Sequence, residues 1–376
     1  MEEAEGGGAT ASSQHATMES HYYGASSRPS GNGGDKTMDC LTRLANTALV
    51  RCLVQGFRWF PVVFVVAILC WAYYAYVVVL CFALVDSLLV RVLYLVFCHL
   101  LLAVFLWSYF QAVFTPIGKP AKQFHVPSEL VHQLDRVPTP KERRLLLMDF
   151  VNQRTLPVYM RAVDGSVRYC EKCRCIKPDR CHHCSVCGHC VLKFDHHCPW
   201  INTCTNYRNQ KFFIQFLGYA FVLCLYGALT ALPYFIRFWT KESYKESPSG
   251  FHVIFLVFVA GVFSVSVSVL FFYHIYLSAK NQTTVESFRA PHFVYGPDAD
   301  GFNVGVCRNW QQVFGNGLGV ALLPVFSSLG DGNSFPLRPR SLAAAERALS
   351  SGYGGTHSRP SSSSPPGDTA TRYQQS

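Results

Sequence analysis

CEKCRCIKPDRCHHCSVCGHCVLKFDHHCPWINTC, residues 170–204, holds 14 Cys or His among 35 residues. Packing does not call for that density, so the stretch reads first as a zinc-binding region. Two C-x-x-C pairs, Cys170/Cys173 and Cys184/Cys187, each offer two ligands from one turn, and Cys190 follows the second by three residues. His183, His197 and Cys204 complete eight ligands, enough for two tetrahedral Zn2+ ions; spacing alone leaves open which four share an ion. Cys175, Cys181 and His189 are surplus and read as packing or exposed polar surface. Cys198 is then left over, at the end of Asp195-His196-His197-Cys198. A free Cys has a pKa near ~8.5 and attacks as the thiolate, so it needs a neighbouring base. His196 is the natural candidate, and Asp195 could hold its imidazole in one tautomer. On spacing alone, a plain cluster of zinc ligands competes closely with catalysis.

Outward from this run the chain turns apolar. Residues 60–85, 92–114, 212–239 and 251–277 are each long enough to cross a bilayer, which takes about 20 helical residues. His99 is the only His, Lys, Arg, Asp or Glu in the second; Arg237 lies near the far end of the third, and His252 and His274 near the ends of the fourth. The first 40 residues lack an apolar core, so no cleaved signal peptide is expected and the first span is read as the insertion signal. Residues 115–211 carry 16 Lys/Arg against 8 Asp/Glu, and Arg43, Arg51 and Arg58 precede the first span. The link between the third and fourth spans is short, and its Lys241 and Lys245 are offset by Glu242 and Glu246. The positive-inside bias favours both termini and the Cys-rich run in the cytosol, where thiols bind metal or react rather than pair. The net charge of +10 suits an anionic leaflet; no basic helix or base-stacking aromatic pattern points to nucleic acid.

The expected fold is an all-α integral membrane protein of four transmembrane helices, with a cytosolic two-zinc Cys-rich domain between helices two and three. Its parts are a disordered tail (1–40), helices one and two (41–114), a cytosolic approach segment (115–168), the Cys/His domain (169–211), helices three and four (212–280), a cytosolic C-terminal segment (281–337) and a disordered Ser-, Pro- and Gly-rich tail (338–376). In the approach segment KERRLLLMDFV, after Pro140, reads as a short amphipathic helix. LGVALLPVFSSLG, after the fourth span, is too short to cross and reads as interfacial or packed. No internal repeat is read along the chain.

Asp-His-His-Cys followed by Pro199-Trp200, inside this Cys/His array and between spans two and three, resembles the DHHC protein S-acyltransferase (palmitoyltransferase) family. The likeness covers roughly residues 55–335. Thr283-Thr284-Val285-Glu286 resembles the family's T-T-x-E motif, and Asn309-Trp310-Gln311-Gln312-Val313-Phe314-Gly315 its C-terminal motif. SFRAPHF, VFSSLGDG and the lack of ankyrin repeats resemble the Golgi and plasma-membrane branch. The resemblance implies one zinc ion on Cys170, Cys173, His183 and Cys190 and another on Cys184, Cys187, His197 and Cys204. It implies Cys198 as the acyl-accepting nucleophile, His196 as base and Asp195 as its orienter, with Thr284 near that aspartate and Asn309 anchoring the C-terminal segment. Lys177, Arg180 and His182 would meet the phosphates of acyl-CoA, the co-substrate, and K-P-D-R beside a reactive thiol is in itself a plausible phosphate clamp. Trp200, Phe213 and Phe216 are candidates to line the acyl chain. The implied acceptors are cytosolic cysteines of membrane-proximal proteins. A membrane-anchored zinc scaffold without catalysis is the alternative. The sequence departs from the family pattern at Thr203 and Asn206, where Asn and Gly are usual, at Thr115-Pro116-Ile117-Gly118, and at Cys181; no proposed ligand or catalytic group is lost.

Overall fold

The computed structural model describes residues 48–240 and 248–352. The expected disordered tail of residues 1–40, the charged link of residues 241–247 and the last residues of the chain lie outside the described residues. Two compact units are distinguished, residues 1–57 and 58–376. In the first, the described residues belong to an opening helix, α1 (Ala48–Arg58).

Four described helical stretches are long and apolar enough to cross a membrane: Cys52–Leu84, Leu88–Phe114, Gln210–Thr240 and Gly250–Lys280. The first combines the end of α1, α2 (Phe60–Tyr73) and a π-helical stretch, Tyr74–Leu84. The others are α3 (Leu88–Phe114), α6 (Gln210–Thr240) and α7 (Pro248–Lys280). All four occupy the expected places, with ends that differ from the expected ones by a few residues, most at the start of the first. Helix α3 stops at Thr115-Pro116, where the proline disfavours helical backbone in the residue before it. Helix α6 packs against both α3 and α7. Outward faces stay apolar: Leu88, Leu100, Val265 and Val269 are exposed, a distribution that suits hydrocarbon rather than water.

Between α3 and α6 the approach segment forms α4 (Ser128–Arg136) and α5 (Pro140–Gln153), the latter capped by Thr139, whose hydroxyl accepts from the Glu142 amide. Their apolar faces close on Phe124, Leu134, Phe150 and Ile176. The expected all-α class needs one amendment. The Cys/His domain is three two-stranded antiparallel ribbons: β1 (Tyr169–Cys170) with β2 (Cys175–Ile176), β3 (His182–Cys184) with β4 (His189–Val191), and β5 (His196–Cys198) with β6 (Thr203–Thr205). Such ribbons are marginal alone, so the clustered ligands, not the strands, must hold them.

After α7 come α8 (Thr284–Phe288), a ribbon of β7 (His292–Phe293) and β8 (Gly296–Pro297), α9 (Val306–Phe314) and α10 (Leu318–Leu322). Gly315 ends α9 at φ +79°, and a Cβ there would lie 2.7 Å from Ser327, so this close turn requires glycine. The segment expected to be interfacial or packed is pinned to α6: Lys211 Nζ donates to the carbonyls of Val320 and Val325 and to Ser327 Oγ at 2.7–2.8 Å. Leu318 and Leu322 point outward from it. A disordered tail from residue 338 is not what the structure has at its start. Helix α11 (Pro339–Gly352) forms there, because SLAAAERAL is rich in strong helix formers and docks through buried Ala345 and a Ser341–Asp298 hydrogen bond.

Candidate active site

Cross-strand pairing builds both ligand sets. His183 faces Cys190 across β3–β4, and His197 faces Cys204 across β5–β6. A C-x-x-C turn from the preceding ribbon completes each quartet: Cys170, Cys173, His183, Cys190, and Cys184, Cys187, His197, Cys204, with all ligating atoms of a quartet within 4.8 Å. A tetrahedral zinc ion with Zn–S of about 2.3 Å and Zn–N of about 2.0 Å sets sulfur and nitrogen about 3.5 Å apart. Around His183 Nδ1 the sulfurs of Cys173, Cys170 and Cys190 stand at 3.3, 3.6 and 4.0 Å. Around His197 Nδ1 those of Cys187, Cys204 and Cys184 stand at 3.4, 3.6 and 3.8 Å. Both quartets fit zinc. Each member of the second lies 14 residues after its counterpart in the first, a tandem repeat that the sequence reading missed because the quartets interleave. The surplus cysteines Cys175 and Cys181 are fully buried beside the first quartet, and His189 is exposed.

Cys198 belongs to neither quartet. It is 6% exposed, at the end of β5, in an apolar cluster with Val62, Tyr109, Ile201, Phe213 and Leu217 drawn from three of the four long apolar helices and the following turn. His196, on the same strand, donates from Nδ1 to Asp195 Oδ2 at 2.5 Å. Burial pulls the His196 pKa down, but its hydrogen bonds to Asp195 and Cys198 and the charges of both outweigh burial and push it up to about 9. Asp195 is buried, and its carboxylate accepts from Thr284 twice, at Oδ1 from the backbone amide (2.9 Å) and at Oδ2 from the hydroxyl (2.7 Å). Burial alone would raise the Asp195 carboxyl; the His196 hydrogen bond and charge and the Thr284 amide hold it below its ordinary value. Thr284 therefore lies directly against Asp195.

Thr284 is placed by a capping box: Thr283 Oγ1 accepts from the Glu286 amide and Glu286 Oε2 accepts from the Thr283 amide. Glu286 is in turn gripped by Arg180, and here the sequence expectation fails. Arg180 was expected to meet CoA phosphates, yet its guanidinium is fully buried. Nε and Nη2 donate to the two Glu286 oxygens at 2.8 and 2.6 Å, and Nη1 and Nη2 to Asn281 Oδ1 and O at 2.9 Å each. The rings of Phe302 and Phe335 cover it. Four of its five N–H groups are so committed and the whole side chain is shut off from solvent, which leaves nothing for a phosphate to reach. Lys177 and His182, the other two expected contacts, are half-buried. Burial drives the His182 pKa well down, and the cations of Arg168, Lys177 and Arg289 press it further, which places four basic groups in one neighbourhood.

Asn309 ties α9 to the end of α7: its Nδ2 donates to the carbonyl of Ala279 (2.8 Å), one of the last carbonyls of α7, which have no helical partner. Phe213 is buried with its ring edge-on to His196 at 5.3 Å, Phe216 packs on Tyr109 at 5.0 Å, and Trp200 is half exposed beside Phe64. The Asn206 departure leaves the turn intact. Its side chain bridges the Gly118 amide and the Cys204 carbonyl, tying 115–118 to the ribbon without a glycine. Sequence reading missed His274. This buried residue of α7 brings a ring nitrogen within 4.8 Å of the Asp195 and His196 ligating atoms; a histidine ten residues ahead of Thr284 in an apolar span was the available signal.

With this geometry in hand, comparison with known proteins is decisive as to family. The model of the DHHC palmitoyltransferase family matches residues 164–291. The chain is 47% identical over 295 residues to palmitoyltransferase ZDHHC20-B of Danio rerio, covering 78% of this chain and 88% of that protein. It is 44% identical to palmitoyltransferase ZDHHC15 of Xenopus laevis, covering 79% and 87%, and 47% identical to palmitoyltransferase ZDHHC2 of Homo sapiens, covering 74% and 75%. The chain belongs to the DHHC palmitoyltransferase family.

Proposed function

We propose that the chain is a protein-cysteine S-palmitoyltransferase of the membrane surface, with Cys198 as its nucleophile. The observation that carries this reading is a cysteine left out of both metal quartets, two residues from a histidine fixed by a clamped aspartate. His196 holds the proton from Cys198 and so favours the thiolate. The sulfur attacks the thioester carbonyl of acyl-CoA; the carbonyl–sulfur bond to CoA breaks, CoA leaves as thiolate, and the proton is returned to it. A cysteine of a membrane-proximal protein then attacks the acyl-enzyme, regenerating Cys198. Each step exchanges one thioester for another, so little driving force is lost. Asp195, held by Thr284, keeps the imidazole in one tautomer throughout.

Two zinc ions, one in each quartet, would supply the fixed frame for the ribbons; the second would hold β5 through His197, between His196 and Cys198. We assign the CoA phosphates to the basic neighbourhood of Lys177 and His182, extended by Arg168 and Arg289. The acyl chain would pass Phe213, Phe216 and Trp200 into the apolar cluster around Cys198. A 16-carbon chain buries about 14 methylenes there, worth roughly 11 kcal/mol. The four apolar helices and the surplus of basic residues in 115–211 support a multi-pass protein with termini and site in the cytosol, at Golgi or plasma membrane. Purified enzyme incubated with palmitoyl-CoA should gain one hydroxylamine-sensitive palmitoyl mass, and Cys198→Ser should gain none. An equally labelled Cys198→Ser enzyme would leave only the zinc-scaffold reading.

A further inference from the structure

The 14-residue repeat does not stop at two copies. A third segment begins at Cys198, as the first two begin at Cys170 and Cys184. The three ribbons share one register: Cys170 faces Cys175, Cys184 faces His189 and Cys198 faces Thr203. Four residues after each leading cysteine the backbone turns left-handed, at Arg174 (φ 50°), Gly188 (φ 71°) and Asn202 (φ 49°). Thus residues 198–202 have the chain path of a zinc knuckle. In the first two copies the leading cysteine is a ligand, and the second thiol follows three residues later, as Cys173 and Cys187. In the third that place is Ile201, fully buried in the same apolar cluster as Cys198. The His place of the repeat, 13 residues after the leading cysteine, is Lys211, and the last ligand place is Gly218.

We propose that Ile201 is the residue that keeps the catalytic cysteine free of metal: the DHHC ribbon is a third zinc knuckle without its second thiol. Donors to complete a site are already at hand. Ligating atoms of Asp195, His196 and His274 lie within 4.8 Å of one another, and His196 stands two residues before Cys198 on the same strand. One further thiol, set by the knuckle turn beside the first, makes a chelating pair with imidazole nearby, a donor set of the structural-zinc type. An apolar side chain at 201 denies the ion that pair and leaves the sulfur reactive. The inference rests on Cys198 as nucleophile, which the Cys198→Ser experiment decides separately.

The test is Ile201→Cys in the full-length, detergent-solubilised enzyme, with Ile201→Ala as the control for lost volume. Bound zinc is measured per chain after titration with zinc and desalting, and Cys198 acylation by palmitoyl-CoA is followed by intact mass. Ile201→Cys should rise from two ions per chain to three and lose about tenfold in acylation rate when zinc is at ten times its dissociation constant. A mild chelator that leaves two ions in place should restore the rate. Ile201→Ala should stay at two ions. Retention of two ions by a folded Ile201→Cys, at any zinc concentration, overturns the proposal. So does wild-type enzyme that takes a third ion onto Cys198, seen as zinc-dependent protection from alkylation, a measurement that stands even if the variant does not fold.

Discussion

Replacing Arg180 with Gln separates the two roles available to this side chain. The guanidinium makes four hydrogen bonds, two of them charge-assisted contacts to Glu286, with the two side chains 0% and 3% exposed. Removing one partner of a buried pair costs about 3–5 kcal/mol, a sizeable part of a typical domain stability of about 5–15 kcal/mol. Gln can remake one or two of the bonds but cannot neutralise Glu286. The loss falls on the α8 capping box, and through it on Thr284 and the Asp195 carboxylate. Displacing a catalytic group by about 1 Å costs on the order of 100-fold in rate. The acylation rate constant at saturating palmitoyl-CoA should therefore fall about 10- to 100-fold, with half-saturating concentration and acylatable fraction within about twofold of wild type. The assay is rapid-quench intact mass over a range of palmitoyl-CoA concentrations. A phosphate ligand predicts the opposite: half-saturation weakened about tenfold or more through loss of a charged hydrogen bond, with the saturated rate preserved. That second pattern refutes the reasoning.

Thr284→Val removes the 2.7 Å hydroxyl bond to a buried carboxylate, worth about 1.5–3 kcal/mol, so Cys198 acylation should slow roughly 10- to 100-fold while Thr284→Ser stays near wild type; equal rates for all three would show that the hydroxyl is idle. Cys187→Ser should lower bound zinc from two ions per chain to one and abolish acylation, since strands of three residues cannot hold β5 in place unaided; metal analysis still finding two ions would contradict the assigned quartet. Lys193 is buried, and burial, then the Arg180 cation, drive its pKa from 10.5 to about 7 against the opposing pull of Glu286 and Asp195. Between those values the unfolded chain binds the extra proton, so this group makes stability climb with pH above about 7, at up to ~1.4 kcal/mol per pH unit, and Lys193→Met should remove that slope from melting curves recorded between pH 7 and 10.

The sequence alone determined the four apolar helices, the Cys-rich domain between the second and third, the eight Cys and His that gather into two quartets, and the Asp195-His196-Cys198 run. All are written in local composition and short spacing, where a residue's type already fixes its physics: an apolar run needs hydrocarbon, and a C-x-x-C turn offers two thiolates from one place. Arg180 shows what spacing cannot decide. KPDR is equally a phosphate clamp or half of a buried clamp until Glu286, 106 residues away, is known to face it. His274, Asn281 and the basic neighbours of His182 likewise come together only when α7 and its following turn close over the zinc domain. At the start of the supposed tail the helix formers of SLAAAERAL are legible in the sequence, but the docking of Ala345 and Ser341 that fixes the helix is not. Ligand identity is a property of single side chains, whereas exposure, partnership and the freedom of Cys198 depend on which distant groups the fold brings within a few ångströms.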